Sequence, residues 1–253
     1  MGILSDFVNC VCVWAVTEQQ QQPRLLAEGL EIKNLRVVDE NYSPEPAGDG
    51  DGVIDKFKEG FKTFKIEKYL AEPEKYKKLA EAQEPKVLII TCIDSRVDPA
   101  ILYGLDIGES FVLRNVANFV HPYQAGKDGH DHGPSAATLF AVTVIKIQHI
   151  VVAGHSGCGG INALFARDDF TTDSIGTWIK SALPAKEKAL ALLGHKSEEE
   201  QKSFAEKEAV NISLRNLLTY PYIAERVKDG RLQLHGFHYD LSGKLTTWDV
   251  ERT

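Results

Sequence analysis

The sequence predicts an α/β fold with a central, mainly parallel β-sheet flanked by helices. Three short apolar runs rich in β-branched residues, residues 86–91, 110–114 and 149–153, are typical of buried strands. Between the last two, residues 133–147 carry apolar side chains at helical spacing, so strand, helix and strand alternate. A parallel sheet requires this alternation, because parallel strands are joined by long crossover connections.

The remaining elements precede and follow this alternation. Apolar residues between positions 53 and 69 recur at helical spacing and predict an N-terminal amphipathic arm, which either clasps a second subunit or is buried in its own core. A short helix is predicted over residues 73–82. The last third of the chain is mainly helical, with a long helix over residues 197–218, before residues 231–239 and 244–249 supply two further strands.

The sequence predicts an N-terminal extension and linker over residues 1–52 and a compact domain over residues 53–253. The extension ends in a stretch rich in Gly, Pro, Asp and Asn without apolar periodicity. Its apolar start is broken by Asp6 and has no Lys or Arg before Arg24, which is unlike a signal peptide. No segment offers 18 uninterrupted apolar residues, so no transmembrane segment is expected.

Composition and charge narrow the class of protein. With 43% hydrophobic and 26% charged residues in 253, the chain is typical of globular proteins and unlike disordered or fibrous ones. Its 36 acidic and 29 basic residues give a net charge of −7, which argues against nucleic acid as a partner. Four cysteines are too few for a disulfide framework in a chain of this length, so their positions become informative.

Two of the four cysteines follow predicted strands. Cys92 follows the first strand, and His155 and Cys158 follow the third. Because ligands of open α/β sheets bind beyond the carboxyl ends of the strands, the three side chains are expected to meet. Each of the three residues taken alone is better explained as an ordinary buried or loop residue. Together they form a Cys, His, Cys set with an open fourth position, which indicates catalytic zinc. Cys10 and Cys12 lie in the extension and have no assigned role.

Asp94 and Arg96 follow the first of these ligands. An Arg fork can hold a carboxylate in bidentate geometry, which keeps the carboxylate ionised. Beside a metal, such an Asp can orient a reacting hydroxide, and once released by the Arg it could itself fill the fourth metal position. A purely structural ion pair is the alternative for this spacing.

Residues 154–160, GHSGCGG, are glycine-rich but do not match a phosphate-binding loop. Their spacing is G-x-x-G-x-G and no G-K-[ST] follows. The glycines are better explained as allowing close backbone approach to a metal and the start of a helix.

Four segments together resemble the β-class carbonic anhydrases, closest to their plant-type branch. They are CIDSR at 92–96, FVLRNVAN at 111–118, GHSGCGGI at 154–161 and AEKEAVNISLRNLLTYPYI at 205–223. The resemblance covers roughly residues 53–249. It implies reversible hydration of CO2 to bicarbonate and a proton by attack of zinc-bound hydroxide.

The resemblance also implies roles for individual residues. Cys92, His155 and Cys158 would bind one Zn²⁺ per subunit, and Asp94 and Arg96 would be the catalytic pair. Substrate would be bound by four further residues, with the glutamine reaching across a dimer interface: Gln83, Phe111, Val116 and Gly159. A homodimer or larger even-numbered oligomer is therefore expected. Zinc-thiolate chemistry favours an intracellular location, in cytoplasm or organelle stroma.

The sequence departs from the plant-type pattern at two positions. Phe140 stands where a Tyr is common, and Val144 where a proton-handling His is common. The route of proton transfer is therefore open. A cluster of histidines before the core helix, His121, His130 and His132, offers a shuttle or simply a solvated loop.

Three other functions fit part of the pattern. A CS2 or COS hydrolase of the same fold would keep the same motif residues. A zinc-binding interaction module without turnover would be expected to close its site with a fourth Cys or His. A thiol redox protein would use Cys92 and Cys158 without zinc.

Overall fold

The computed structural model describes residues 38–39, 41, 52–124 and 132–250. By its internal contacts the chain divides into two units, Met1–Pro73 and Glu74–Thr253. Cys10, Cys12 and His130 lie outside the described residues. Within the described ranges, the structure contains no helix with the length and apolar character needed to cross a membrane.

The first unit contains the helix expected after the linker. Helix α1, Val53–Phe64, continues as a π-helical segment, Lys65–Tyr69, so the sequence periodicity predicted this element correctly. None of its residues is buried in this chain, and Ile54 and Phe57 are each 63% exposed.

The second unit contains the sheet and the remaining helices. Its strands are β1 (Val87–Cys92), β2 (Ser110–Asn115), β3 (His149–His155), β4 (Gln233–Asp240) and β5 (Lys244–Asp249). Its α-helices are α2 (Pro73–Glu81), α3 (Pro99–Tyr103), α4 (His132–Leu139), α5 (Gly159–Phe165), α6 (Ser174–Ile179), α7 (Leu183–Leu193), α8 (Glu198–Leu217) and α9 (Pro221–Lys228). A π-helical segment, Phe140–Ile145, extends α4, and 3₁₀ turns follow β2 and α6.

The sheet has the strand order β2-β1-β3-β4-β5. Strands β2, β1, β3 and β4 are parallel, and β5 returns antiparallel to β4, so the mainly parallel sheet expected from the sequence is confirmed. Strand β3 is two residues longer than predicted and ends at His155. The carboxyl ends of β1 and β3 consequently lie side by side at one edge of the sheet.

Two hydrophobic clusters form most of the core. One packs the central strands against helices α8 and α9, with members that include Leu88, Ile90, Ile150, Val152, Leu214 and Ile223. The other lies at the carboxyl ends of the strands and contains Cys92 and Cys158 among the apolar side chains of α5, α6, α7 and α8. The two cysteines are therefore part of a tightly packed region rather than of a surface loop.

Helix α8 connects the core to the edge of the sheet where β1 and β3 end. It begins in a capping box, in which the Ser197 hydroxyl accepts from the N–H of Glu200 and the Glu200 carboxylate accepts from the N–H of Ser197. Further along, the buried Ser213 hydroxyl donates to the carbonyl oxygen of Asn118 and accepts from the N–H of Val120. The helix thereby fixes the chain segment that follows β2.

Substitution Ser197→Ala is expected to lower the free energy of unfolding by about 1 kcal/mol, because the N–H of Glu200 in the first turn of α8 loses its hydroxyl partner. Urea unfolding at fixed protein concentration measures the change. Ser203→Ala, in the interior of the same helix, is the matched control and should leave stability within about 0.5 kcal/mol of wild type. Equal losses in both variants would show that the cap does not stabilise α8.

Candidate metal centre and active site

The three sequence-predicted ligands meet where β1 and β3 end. Cys92 is the last residue of β1 and His155 the last of β3. The two strands are parallel neighbours, with Thr91 opposite Ala153. Cys158 is the residue that caps the N-terminus of α5, three positions after His155. Two adjacent strand ends and one helix start therefore supply the three side chains.

The donor atoms of this cluster are close together and shielded from water. The Sγ atoms of Cys92 and Cys158 and a ring nitrogen of His155 all lie within 4.8 Å of one another. The exposed fractions of the three residues are 4%, 2% and 1%. Neither cysteine forms a disulfide. Two free thiols and an imidazole at this spacing are suited to a single tetrahedral metal ion.

The hydrogen bonds of His155 leave one ring nitrogen free to bind a metal. Its Nδ1 lies 3.0 Å from the carbonyl oxygen of Ser156, which can only accept, so Nδ1 carries the proton. Its Nε2 is buried and has no hydrogen-bond partner among the described residues. An unsatisfied buried lone pair is costly. A zinc ion would satisfy it, in the arrangement usual for metal-binding histidines.

The two thiols differ in acidity. The hydrogen bond from Cys158 lowers the pKa of Cys92 to about 4, against the desolvation that raises it. The same hydrogen bond and burial raise the pKa of Cys158 well above its usual range. The Cys92 thiol therefore ionises more readily than that of Cys158.

Asp94 and Arg96 form the bidentate pair that their spacing predicts. Arg96 donates from Nε to Asp94 Oδ1 over 2.9 Å and from Nη2 to Oδ2 over 2.6 Å. Its backbone N–H also donates to Oδ1, and its Nη2 reaches the carbonyl oxygen of Gly157. These hydrogen bonds, above all those from the guanidinium, hold the pKa of Asp94 well below its ordinary value. Asp94 Oδ2 lies 3.9 Å from His155 Nε2, so an ionised carboxylate adjoins the donor cluster.

A close backbone approach forms one wall of the cluster. A Cβ atom on Gly160 would lie 2.7 Å from the Cβ of Ala117 and 3.1 Å from a methyl of Val116. Only glycine therefore fits at this second position of α5 without displacing the 3₁₀ turn Val116–Asn118. Ala117 is itself held at φ 61°, in the left-handed region that is costly for a residue with a Cβ.

Comparisons with known proteins agree with this geometry. A family model described as carbonic anhydrase matches residues 87–245, more than half of the chain. Beta carbonic anhydrase 3 of Arabidopsis thaliana is 40% identical over 204 residues, which cover 79% of this chain and 78% of that protein. The chain belongs to the β-class carbonic anhydrases. Further relatives from Arabidopsis thaliana are the mitochondrial beta carbonic anhydrase 6, 41% identical over 199 residues, and the chloroplastic beta carbonic anhydrase 5, 37% identical over 231. The matched regions cover 77% and 86% of this chain, and 67% and 75% of the two relatives.

Solved β-carbonic anhydrases have the same fold. CcaA superposes with a TM-score of 0.71 at 28% identity, over 80% of this chain and 93% of that one. A tetrameric β-carbonic anhydrase from Sordaria macrospora also gives a TM-score of 0.71, at 26% identity, over 79% of this chain and all of that one. The resemblance to the plant-type β class that the sequence motifs indicated is confirmed.

The four expected substrate-binding residues fall into two groups. Val116 packs against the cluster that contains Cys92 and Cys158, and Gly159 is the exposed first residue of α5. Gln83 lies before β1, whose length alone separates it from Cys92 by about 16 Å. Phe111 on β2 pairs with Leu88 on β1. Leu88 precedes Cys92 by four residues, which corresponds to about 13 Å along the strand. Within one chain, the structure does not bring Gln83 and Phe111 to the donor cluster.

The departures from the plant-type pattern belong to the second group. The ring of Phe140 lies 6.1 Å from that of Phe111, and Val144 is 59% exposed on the same π-helical segment. Among the histidines considered for proton transfer, His121 donates through Nε2 to the carbonyl oxygen of Trp178. His130 and the side chain of His132 are not among the described groups.

Three residues at the site were not recognised in the sequence. Cys158 donates its backbone N–H to the buried carboxylate of Glu206, whose other oxygen accepts from Nε2 of His238 at 3.3 Å. Arg114 contacts the segment that carries Asp94. The position of Arg114 near the end of β2, beside the end of β1, is a signal that sequence analysis could have used. Glu206 lies 48 positions from Cys158 on a helix and offers no such signal.

Gly160→Ala is expected to lower the free energy of unfolding by about 1 to 3 kcal/mol, because the added methyl overlaps Ala117 and Val116. Gly159→Ala is the matched control, since a Cβ there meets no atom within 4 Å. Chemical unfolding of both variants, purified alongside wild type, measures the difference. If the two substitutions have the same effect, the close approach at Gly160 is not a packing constraint.

Proposed function

We propose that this chain hydrates CO2 to bicarbonate at one zinc ion per subunit, bound by Cys92, His155 and Cys158. The observation that carries the proposal is the buried Cys-His-Cys donor cluster beside the Asp94–Arg96 pair. Three protein donors leave a tetrahedral zinc one position for a reacting group, as catalytic sites require. The catalytic domain would span residues 53–253, with residues 1–52 as an extension.

Zinc, when bound here, supplies a Lewis acid that makes hydroxide available near neutral pH. Cys92 is already inclined to ionise, because the Cys158 thiol donates to it. The proton on Nδ1 of His155 is held by the Ser156 carbonyl, which directs Nε2 into the cluster. Burial of all three residues shields their donor atoms from bulk water.

Asp94 would orient the attacking group. Its carboxylate is acceptor-only, because the bonds from Arg96 keep it ionised. Oδ2 lies 3.9 Å from His155 Nε2 and could accept a hydrogen bond from the attacking hydroxide, which would turn an oxygen lone pair towards the carbon of CO2. With its carboxylate held by Arg96, Asp94 would leave the fourth position of a zinc ion bound by the three donors to the reacting group.

Gln83 and Phe111 would complete the site from a second subunit. Both lie more than 10 Å along the strands from the donor cluster of their own chain, as estimated from strand rise. In a two-fold symmetric dimer the same surface of both subunits forms the interface. Each subunit would therefore supply Gln83 and Phe111 to the site of the other. The tetrameric relative from Sordaria macrospora supports an even-numbered homo-oligomer. Gln83 would then donate to an oxygen of the forming bicarbonate, and Phe111 with Val116 would line an apolar pocket.

We place the protein inside the cell, because the site needs reduced thiols. Two of its relatives are named mitochondrial and chloroplastic, which fits an organelle as well as the cytoplasm.

Purified wild type is expected to retain about one zinc per chain, as one Cys-His-Cys set implies. Cys158→Ser should lose most of this zinc, whereas Cys12→Ser, outside the domain, should keep it. Asp94→Ala should keep the zinc but lower kcat for CO2 hydration by about 100-fold. Metal analysis and stopped-flow CO2 hydration provide the two measurements. Full activity without zinc would contradict the proposal, and turnover of COS or CS2 in place of CO2 would reassign the substrate.

Co-expression of two inactive variants tests the completion of the site by a partner. Gln83→Ala and Cys158→Ser change different halves of the proposed site, so random mixed dimers should restore about a quarter of the wild-type sites. Asp94→Ala with Cys158→Ser changes the same half and should restore none. Recovery of activity in both mixtures, or in neither, would show that Gln83 does not act across an interface.

A further inference from the structure

Arg114 makes an unusual set of hydrogen bonds beside the proposed active site. From β2 its Nε donates to the carbonyl oxygen of Cys92 at 3.0 Å, and its Nη2 donates to the carbonyl oxygen of Asp94 at 2.6 Å. Its Nη1 donates to the Asp98 carboxylate at 3.1 Å. All three nitrogens of the guanidinium are therefore engaged.

The three acceptors belong to one short segment, residues 92–98. This segment contains the proposed ligand Cys92 and both members of the Asp94–Arg96 pair. Asp98 in turn accepts from the N–H groups of Ala100 and Ile101 and so caps α3. Arg114 thus joins the end of β1, the loop that follows it and the start of α3.

The two arginines hold different parts of Asp94. Arg96 holds the carboxylate, whereas Arg114 holds the backbone carbonyl, so together they fix both ends of this residue. The Arg96 side chain is 54% exposed and comes from the same loop, so on its own it would move with the loop. Arg114 is 28% exposed and comes from a neighbouring strand of the sheet. It therefore gives the loop an anchor outside itself.

We propose that Arg114 is a positioning residue, which sets the place of Asp94 beside the reacting group and of Cys92 in the metal site. The proposal rests on the proposed function. The fork geometry of arginine is needed, because one planar group must reach two carbonyls and a carboxylate at once, and a lysine ammonium does not match this arrangement.

Arg226 provides a matched control. Its Nη2 lies within hydrogen-bonding distance of the carbonyl oxygens of Lys146, Ile147 and Arg231, and like Arg114 it is partly buried. Lys146 and Ile147 precede β3, at the opposite end of that strand from His155. Arg226→Met therefore removes a comparable set of hydrogen bonds to carbonyl oxygens, at the end of β3 opposite the donor cluster.

The experiment is a double-mutant cycle on the zinc enzyme. It compares wild type, Arg114→Met, Asp94→Ala and the double variant, with Arg114→Lys and Arg226→Met alongside. Stopped-flow CO2 hydration gives kcat and KM, and transfer of zinc to a chelator gives the rate of metal loss. Urea unfolding reports stability. If Arg114→Met yields no folded protein, Arg114→Lys takes its place in the cycle.

Arg114→Met is expected to lower kcat by about 10 to 100-fold with little change in KM, and to speed zinc loss by about 10-fold. Arg114→Lys should fall between this variant and wild type. In the Asp94→Ala background the same substitution should lower kcat by less than about 3-fold, because its effect on kcat acts through Asp94. Zinc loss should still accelerate there, since Cys92 is unchanged.

Two results would overturn the inference. One is an equal loss of kcat from Arg114→Met in both backgrounds. The other is an Arg226→Met variant whose kcat and zinc loss change as much as those of Arg114→Met at a similar loss of stability. In both cases wild type remains active, whereas inactivity of the zinc-loaded wild type would refute the proposed function itself.

Discussion

The parallel pairing of β1 with β3 is the constraint on which the site depends. Cys92 and His155 are 63 positions apart in the sequence, yet each is the last residue of its strand, and the strands are neighbours in register. Parallel strands direct their carboxyl ends to one edge, so the fold delivers two donors there before any metal is present. The start of α5 then adds Cys158. If the register of these strands shifted by one residue, the two donors would move about 3.3 Å relative to each other along the strands.

The surrounding hydrogen bonds keep this arrangement fixed. The Ser156 carbonyl sets the ring of His155, the Glu206 carboxylate accepts from the backbone of Cys158, and Arg114 holds the carbonyls of Cys92 and Asp94. The Cys158 backbone and the carbonyls of Cys92 and Asp94 are therefore restrained from other elements, α8 and β2, whereas His155 is restrained by its neighbour in the chain. Such hydrogen bonds from neighbouring residues keep the ligands of a metal site in a fixed geometry.

Much of this organisation was predictable from sequence because it follows from local patterns. β-branched runs identified the strands, and the spacing of Cys92, Asp94, Arg96, His155 and Cys158 identified the cluster. The strand ends were less well defined: β3 extends through Gly154 to His155, beyond the apolar run that marks it. The partners contributed by distant elements, above all Glu206, were not predictable, since a buried carboxylate on a helix has no local signature. The separation of Gln83 and Phe111 from Cys92 also required the register of the strands.

In the function proposed for this chain, two thiolates and one imidazole bind a zinc ion with an open fourth position. X-ray absorption at the zinc edge of the purified protein tests it most directly. The predicted spectrum has two sulfur neighbours at about 2.3 Å, one imidazole nitrogen at about 2.0 to 2.1 Å and one further oxygen or nitrogen atom. A shell of four sulfurs, a shell without sulfur, or a protein without zinc would show that these three residues do not form an open zinc site.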